Sequence, residues 1–262
     1  MQAVLKPLLE RTDADAEVFQ LAGMMNKTTG DTKECEKVYK KGLKMFPDNG
    51  PLLSDYGELL WAKQDFSAIK QWEKGIEEAP SYSGNYYNAA RYYYFTKDKV
   101  WAIIYGEMFV NLESYSRRTV DIKNLLLESY KKLFTDADMM KNQEIKNPFV
   151  VAFLSGMKNQ AGIAKNGITT ETLIMIRTRF LLDWFEKEAT KFPFRLFEYQ
   201  RQLIKEGNFD AYNQWLFGSV QNLPAFENWT NTHSAEYKQF TISQSNRMFK
   251  IVPGQYYQTV SK

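Results

Sequence analysis

The sequence predicts an all-α protein, in which about three helical hairpins form a right-handed solenoid and a further helical region follows. Two observations predict this fold class. Pro47 and Pro80 lie 33 residues apart, and Gly23 is followed by Gly57 after 34 residues and by Ala90 after 33 more. The later part of the chain keeps apolar residues at helical steps without this period. A period of this length indicates a unit that buries its apolar face only against neighbouring copies.

Packing chemistry explains each part of the repeat in order. A small residue such as Gly23 or Gly57 lets two helix backbones approach closely, and bulky residues nearby fill the adjoining space. Proline has no amide hydrogen and disfavours helix in the residue before it. Pro47 and Pro80 are therefore predicted to end the second helix of the first two hairpins.

Three copies share this order of bulky and small residues. Its members are Phe19, Ala22, Gly23, Cys35, Tyr39, Gly42 and Pro47; then Leu53, Tyr56, Gly57, Leu60, Ala68, Trp72, Gly75 and Pro80; then Tyr86, Ala89, Ala90, Tyr93, Ala102, Gly106 and Phe109. In these residues the chain resembles the tetratricopeptide repeat, a pair of antiparallel helices. The resemblance covers about residues 1–134 and implies repeats at about 16–49, 50–82 and 83–116.

Flanking helices are expected to cap this array. Met1–Arg11 is typical of the second helix of a copy whose first helix is missing. Either the native protein begins with this lone helix, or a longer chain was shortened for expression. Arg118–Phe134 is expected to cover the last copy, as terminal units of a repeat array must.

The loop Thr135–Lys146 is the predicted boundary of the second region, 147–262. Helical patterns follow, and in Thr170–Lys191 the charged Arg177 and Arg179 are expected to lie outside. The remaining predicted elements are helices at Pro148–Ala164, Phe194–Lys205 with a Gly207 cap, Phe209–Val220 after an Asn208 cap, a helix starting near Pro224, a helix at Ser234–Met248, and an extended tail with a turn at Pro253-Gly254.

Composition excludes several classes of function. With 34 basic and 31 acidic residues the net charge is +3, and no basic stripe of the kind that nucleic-acid binding needs is present. The sequence contains no run of eighteen apolar residues, so no membrane span is predicted. The single cysteine, Cys35, is expected to be buried and inert. Localisation stays open between the cytoplasm and export or the periplasm, and so do the oligomeric state and the identity of a partner.

No catalytic, metal-binding or cofactor-binding motif is recognised. His233 is the only histidine, and it is expected to be a solvated or capping residue in a polar turn. A single histidine without a nucleophile motif or metal-spaced ligands does not define a reaction. The sequence therefore predicts no cofactor and no enzyme activity.

The resemblance implies a binding surface on the first helix of each pair, at positions between the packing residues. These positions carry Gln20, Met24, Lys27, Ser54, Glu58, Trp61, Tyr87, Arg91 and Tyr94. Aromatic rings pack against peptides, and arginine pairs with carboxylates. In some tetratricopeptide co-chaperones this face carries a carboxylate clamp, which only Asn88 and Arg91 loosely resemble here, so binding of a chaperone tail is not expected. Packing is the competing role for the run from Tyr86 to Phe95.

The leading hypothesis is a non-catalytic scaffold that binds a peptide or protein segment on this face. A second hypothesis is a cell-envelope or secreted module that binds a glycan or small ligand through aromatic platforms, namely Trp215, Trp229, Tyr256 and Tyr257. A third is an enzyme with a site near Arg177, Glu186, Asp210 and His233. Because fold does not determine function, the residues themselves must discriminate among the three.

Overall fold

A computed structural model of the chain describes residues 7–96, 98–136, 138–247, 249 and 251–258. In these residues the chain forms helices joined by turns, and none of them belongs to a strand. The predicted all-α class is therefore confirmed. Residues 1–6 of the predicted leading helix and Met248, the predicted end of the last helix, lie outside the described residues.

The chain divides into two compact units, the first reaching Ala89 and the second beginning at Ala90. This division lies upstream of the loop Thr135–Lys146 that the sequence indicates as a boundary. The first unit contains α1 (Ala16–Thr28), α2 (Thr32–Met45), α3 (Gly50–Ala62), α4 (Ala68–Glu78) and the start of α5 (Ser83–Phe95). The helices α1, α3 and α5 begin 34 and 33 residues apart.

Side-chain caps mark where three helices of the first unit begin. The side chains of Asp15, Asp31 and Asn49 each accept a hydrogen bond from a backbone amide in the first turn of α1, α2 and α3. The helices α2 and α4 end at Met45 and Glu78, just before Phe46-Pro47 and Ala79-Pro80. The predicted role of the prolines as helix stops is confirmed.

The small residues of the first unit lie where two helices meet. A Cβ atom on Gly23 would come within 2.2 Å of the Tyr39 ring, and a Cβ on Gly57 within 2.3 Å of the Trp72 indole nitrogen. Tyr39 and Trp72 are themselves buried. In α1–α2 and in α3–α4, a glycine of one helix thus accommodates the largest aromatic ring of the next.

The second unit contains the end of α5 and the helices that follow it. They are α6 (Lys99–Leu112), α7 (Arg117–Thr135), α8 (Pro148–Lys158), α9 (Ala161–Ala164), α10 (Thr170–Lys187), α11 (Arg195–Lys205), α12 (Phe209–Asn213), a π-helical segment (Gln214–Gly218), α13 (Ser219–Gln221), α14 (Leu223–Thr232) and α15 (Ser234–Asn246). The helix α6 is buried on nearly every side, as expected for the central helix of a helical core.

Several predicted elements of the second unit need correction. The helix predicted at Phe209–Val220 contains the π segment, and Asn208 precedes it without a capping hydrogen bond from its side chain. The pattern at Pro148–Ala164 forms two helices, and α10 ends four residues before the predicted Lys191. Gly207 has φ +71°, so its role as a left-handed helix cap is confirmed. The tail is free of helix in its described residues.

Candidate functional site

In the first unit, polar side chains link the first helices of the predicted pairs. Gln20 on α1 donates from Nε2 to Asp55 Oδ2 on α3 at 3.0 Å. Lys27, two turns further along α1, places Nζ 2.9 Å from Glu58 Oε2. Residues three and four apart share a helix face, which places these two contacts side by side. They join α1 to α3 along one line.

The same line continues from α3 to α5. Asn88 donates from Nδ2 to Ser54 Oγ and to Glu58 Oε1, both at 3.2 Å. Ser54 and Asn88 are buried. Glu58 therefore accepts hydrogen bonds from both neighbouring helices. We call the surface built by Gln20, Met24, Lys27, Ser54, Asp55, Glu58, Trp61, Tyr87 and Asn88 the first-helix face.

The side chains of this face differ in their access to solvent. Met24 is 55% exposed, and Gln20, Trp61 and Tyr87 are partly exposed. Asn88 has an exposed fraction of only 5%, so it supports Glu58 from beneath. The sequence predicted these residues as one set, but it did not separate those that reach the surface from those that hold them.

Two residues of this region were missed at the level of sequence. Asp55 lies beside the predicted Ser54, and the only indication in the sequence was an acidic residue next to the packing position Tyr56. Phe66, 61% exposed, packs edge-on against Trp61 with ring centroids 5.9 Å apart. Phe66 lies in the turn before α4 and has no counterpart in the period, so the repeat pattern gave no indication of it.

Asp55 is the least compensated charge of the first-helix face. Burial raises its pKa, the hydrogen bond from Gln20 lowers it, the negative charge of Glu58 raises it, and Lys27 lowers it. Lys27 is already paired with Glu58. Among the described residues no cation forms an ion pair with Asp55, so its carboxylate leaves this face with an acidic character.

Two residues of the predicted set, Arg91 and Tyr94, belong to the second unit. The side chain of Arg91 is exposed, and Tyr94 is partly buried. The ammonium group of Lys132 lies 3.9 Å from the centroid of the Tyr94 ring, in the geometry of a cation–π contact. Tyr94 thus has a packing partner within its own unit.

The second unit contains a buried polar cluster that the sequence did not indicate. Arg177 on α10 forms an ion pair with Glu107 on α6, and its guanidinium also donates to Asn213 Oδ1. Gln200 Nε2 and Tyr212 OH donate to Glu107 Oε1 at 2.6 Å and 2.8 Å. Arg177, predicted to lie outside, is only 2% exposed. The prediction was wrong because helical periodicity cannot reveal a partner 70 residues away.

This cluster ties several helices of the second unit together. Asn111 on α6 donates to Tyr212 OH at 2.8 Å, and Gln244 on α15 donates to Asn111 Oδ1 at 3.3 Å. Tyr199 on α11 donates to Gln244 Oε1 at 2.5 Å. Burial lowers the pKa of Arg177, but the charge of Glu107 and the nearby tyrosines raise it, and the net direction is upward. The guanidinium therefore stays charged in the core.

The π segment has its own buried cation. Lys123 on α7 donates from Nζ to the Trp215 carbonyl at 2.7 Å and lies 3.8 Å from the centroid of the Trp215 ring. A π turn disturbs the regular helical pairing of carbonyls. The lysine thus supplies a donor to a main-chain oxygen of the irregular segment. Burial lowers the pKa of Lys123 to about 7.

The residues of the second and third hypotheses do not share one environment. Trp215 is 5% exposed, and Tyr257 stacks on Phe149 with centroids 4.7 Å apart, so both rings serve packing. Trp229 is partly exposed and stacks on His233 at 4.5 Å. Of the third set, Arg177 is buried, whereas Glu186, Asp210 and His233 are exposed.

Three further findings bear on function. Within the described ranges, no three His, Cys, Asp or Glu side chains are grouped so that they would hold a metal ion. None of the helices described is both long and apolar enough to cross a membrane. In comparisons with known proteins, no family model and no curated protein matched this chain.

Proposed function

We propose that the chain is a non-catalytic adaptor whose first unit consists of tetratricopeptide-like hairpins and binds a segment of a partner protein across the first-helix face. The observation that carries this proposal is the line of side-chain hydrogen bonds across α1, α3 and α5. These hydrogen bonds hold the polar side chains of the face in place before a partner binds, while Met24, Trp61 and Tyr87 remain accessible to solvent. Rigid side chains lose little entropy on binding, which favours affinity.

The architecture of the first unit supports the repeat part of the proposal. Its odd-numbered helices begin at nearly constant spacing. The pairs Gly23 with Tyr39 and Gly57 with Trp72 make the same close contact in successive hairpins. Equivalent positions thus carry equivalent packing, as repeated units require. In such an array, the first helices present neighbouring faces to a ligand.

The chemistry of the face favours a partner segment with a cationic side chain. Lys27 and Glu58 neutralise each other, whereas Asp55 has no cation of its own among the described residues. An arginine or lysine of the partner would donate to the Asp55 carboxylate in a charge-assisted hydrogen bond. An apolar residue of the same segment would pack on Met24, and an aromatic or methylene group on Trp61.

Selection from a displayed peptide library against the full-length chain tests the proposal. We expect the selected peptides to be enriched in arginine and lysine next to apolar residues. Asp55→Asn and Trp61→Ala should each weaken their binding about tenfold or more, because a charge-assisted hydrogen bond or a buried aromatic anchor is worth about 1.5–3 kcal/mol. Fluorescence anisotropy with labelled peptides gives the dissociation constants.

The matched control is Asp48→Asn. Asp48 is an exposed acid in the turn between α2 and α3, so its removal changes the net charge equally without touching the first-helix face. Thermal unfolding followed by circular dichroism checks that each variant is folded. Peptides that bind equally well to wild type, Asp55→Asn and Trp61→Ala would contradict the proposal.

A further inference from the structure

The second unit contains a small cavity beside its buried ion pair. The cavity has a volume of about 10 Å³ and is bounded by Glu107, Arg177 and Gln200 on its polar side. The remaining lining is apolar or aromatic, from Ile103, Ile104, Tyr130, Phe153, Met157, Phe180 and Phe197. All of these side chains are buried. The space is about that of one sphere the size of a water molecule.

The hydrogen bonds of Glu107 are distributed unevenly over its two carboxylate oxygens. Arg177, Gln200 and Tyr212 all donate to Oε1. In the parts of the chain that the structure describes, no donor reaches Oε2. A carboxylate oxygen that faces an apolar interior without a donor is strongly disfavoured. One further hydroxyl borders the cavity, that of Tyr130, and it interacts with the Arg177 guanidinium.

The geometry points to a bound water molecule in this cavity, held by Glu107 Oε2. The water donates one hydrogen to Oε2, and its second hydrogen faces Gln200, whose amide oxygen is an acceptor. Its own oxygen accepts from the Arg177 guanidinium. Buried waters usually make about three hydrogen bonds to polar groups that lack partners, and the polar side of this cavity supplies that number.

Direct observation of the wild-type protein is the first test. A crystal structure of the full chain, at a resolution that shows ordered solvent, should contain one density peak within hydrogen-bond distance of Glu107 Oε2. An empty cavity, or a protein donor turned onto Oε2, would overturn the inference. This observation does not depend on any variant being folded.

The exchange of buried water in solution is the second test. Oxygen-17 magnetic relaxation dispersion counts the water molecules whose residence time in the protein is longer than the rotational correlation time of the protein. Replacing both charges in the apolar double variant Glu107→Leu/Arg177→Met should reduce that number by one. The control is Glu128→Leu/Lys131→Met, which removes an ion pair of 2.8 Å that is partly exposed, and it should leave the number unchanged. An equal number of long-lived water molecules in wild type and in Glu107→Leu/Arg177→Met would overturn the proposed water site.

Discussion

At the scale of single residues, the least predictable feature of the chain is the pairing of Glu107 with Arg177. Both side chains are 2% exposed. Taking two charges out of water costs several kcal/mol each, and only good geometry with further hydrogen bonds offsets this cost. Gln200, Tyr212 and Asn213 provide those hydrogen bonds. The pair therefore depends on its whole surroundings, and removing one member leaves the other without compensation.

Arg177→Met should destabilise the folded protein by about 3–5 kcal/mol, because it leaves the Glu107 carboxylate buried without a cation. Urea unfolding followed by circular dichroism measures the change. The control is Arg179→Met, which lies two residues away on the exposed side of α10 and should change stability by less than about 0.5 kcal/mol. The double variant Glu107→Leu/Arg177→Met should recover much of the loss. A single variant as stable as wild type would contradict this account.

Lys123 should make stability depend on pH. Burial lowers its pKa from 10.5 to about 7, although the Trp215 carbonyl and ring favour the ammonium form. Between these two values the unfolded chain binds more protons than the folded one, so the free energy of unfolding rises with pH. From pH 7 to 9 the gain should be about 2 kcal/mol relative to Lys123→Met. Urea unfolding across this pH range measures it.

The comparison variant for Lys123 is Lys131→Met. Lys131 pairs with Glu128 at a partly exposed site, where its ammonium group keeps contact with solvent. Wild type and Lys123→Met should differ in the slope of stability against pH, whereas wild type and Lys131→Met should have parallel curves. Parallel curves for all three proteins would show that the buried lysine is not the titrating group.

Sequence reasoning at this scale succeeded for local chemistry and failed for distant partners. Gly207 as a helix cap and Pro224 in the first turn of α14 depend on residues a few positions away. Arg177 was placed outside because its position in the helical pattern says nothing of Glu107. Likewise, the repeat predicted the binding positions on the first helices, but the hydrogen bond between Gln20 and Asp55 can be seen only in the folded structure.

At the scale of helices, close contacts across glycines determine how the hairpins of the first unit pack. A Cβ on Gly57 would lie 2.3 Å from Trp72 Nε1. Gly57→Ala should therefore cost about 1–3 kcal/mol by overpacking, despite the better helix propensity of alanine. Chemical denaturation measures the loss. In Gly57→Ala/Trp72→Leu the smaller side chain should relieve the contact, so that the two substitutions are less harmful together than their sum.

The control for this substitution is Gly162→Ala in α9. A Cβ atom on Gly162 would meet no other atom within 4 Å, and its φ is not positive. Alanine should therefore be neutral there or stabilise the helix by up to about 1 kcal/mol. Additive effects of Gly57→Ala and Trp72→Leu would contradict the proposed contact between these positions.

The tail is the second element whose contacts determine stability. Tyr257 stacks on Phe149 and donates from its hydroxyl to the Pro193 carbonyl at 2.6 Å. Gln255 Oε1 accepts from the Arg195 amide at the start of α11 at 2.6 Å. Tyr257→Ala should cost about 2–3 kcal/mol through lost stacking and a lost hydrogen bond. Thermal unfolding measures it, with Val252→Ala at an exposed tail position as the control.

An unchanged melting temperature of Tyr257→Ala would contradict the assigned role of the tail. The sequence predicted an extended tail lying on the helices from its Pro-Gly turn, but not that its side chains would cap a distant helix. The π segment was missed for a similar reason. The residues Gln214–Gly218 carry an ordinary helical pattern, and the Lys123 contact that accompanies the π turn comes from another helix.

At the scale of the whole molecule, periodicity was enough to predict the helical class and most helix positions. The sequence repeat predicted hairpins at residues 16–49 and 50–82, and helices begin at Ala16 and Gly50. Function required more, because a face of polar and aromatic residues becomes a binding site only through the arrangement of its side chains. The division into units at Ala89–Ala90 lies within α5, where the sequence has no break in its helical pattern.

The single cysteine of the 262 residues offers a probe of the first unit within the intact chain. Cys35 is fully buried, its Sγ donates to the Gly23 carbonyl at 3.2 Å, and burial raises its pKa. Thiol reagents react with the exposed thiolate, so labelling in native buffer should require the surrounding helices to open.

Gly23→Ala, which drives a methyl group into Tyr39, should speed labelling by about tenfold or more, because a loss of about 1.4 kcal/mol raises the open population tenfold. Glu17→Ala, on the exposed side of α1, should leave the rate unchanged. Rapid labelling of the wild-type thiol in native buffer would mean that the contact between α1 and α2 opens far more easily than its packing predicts.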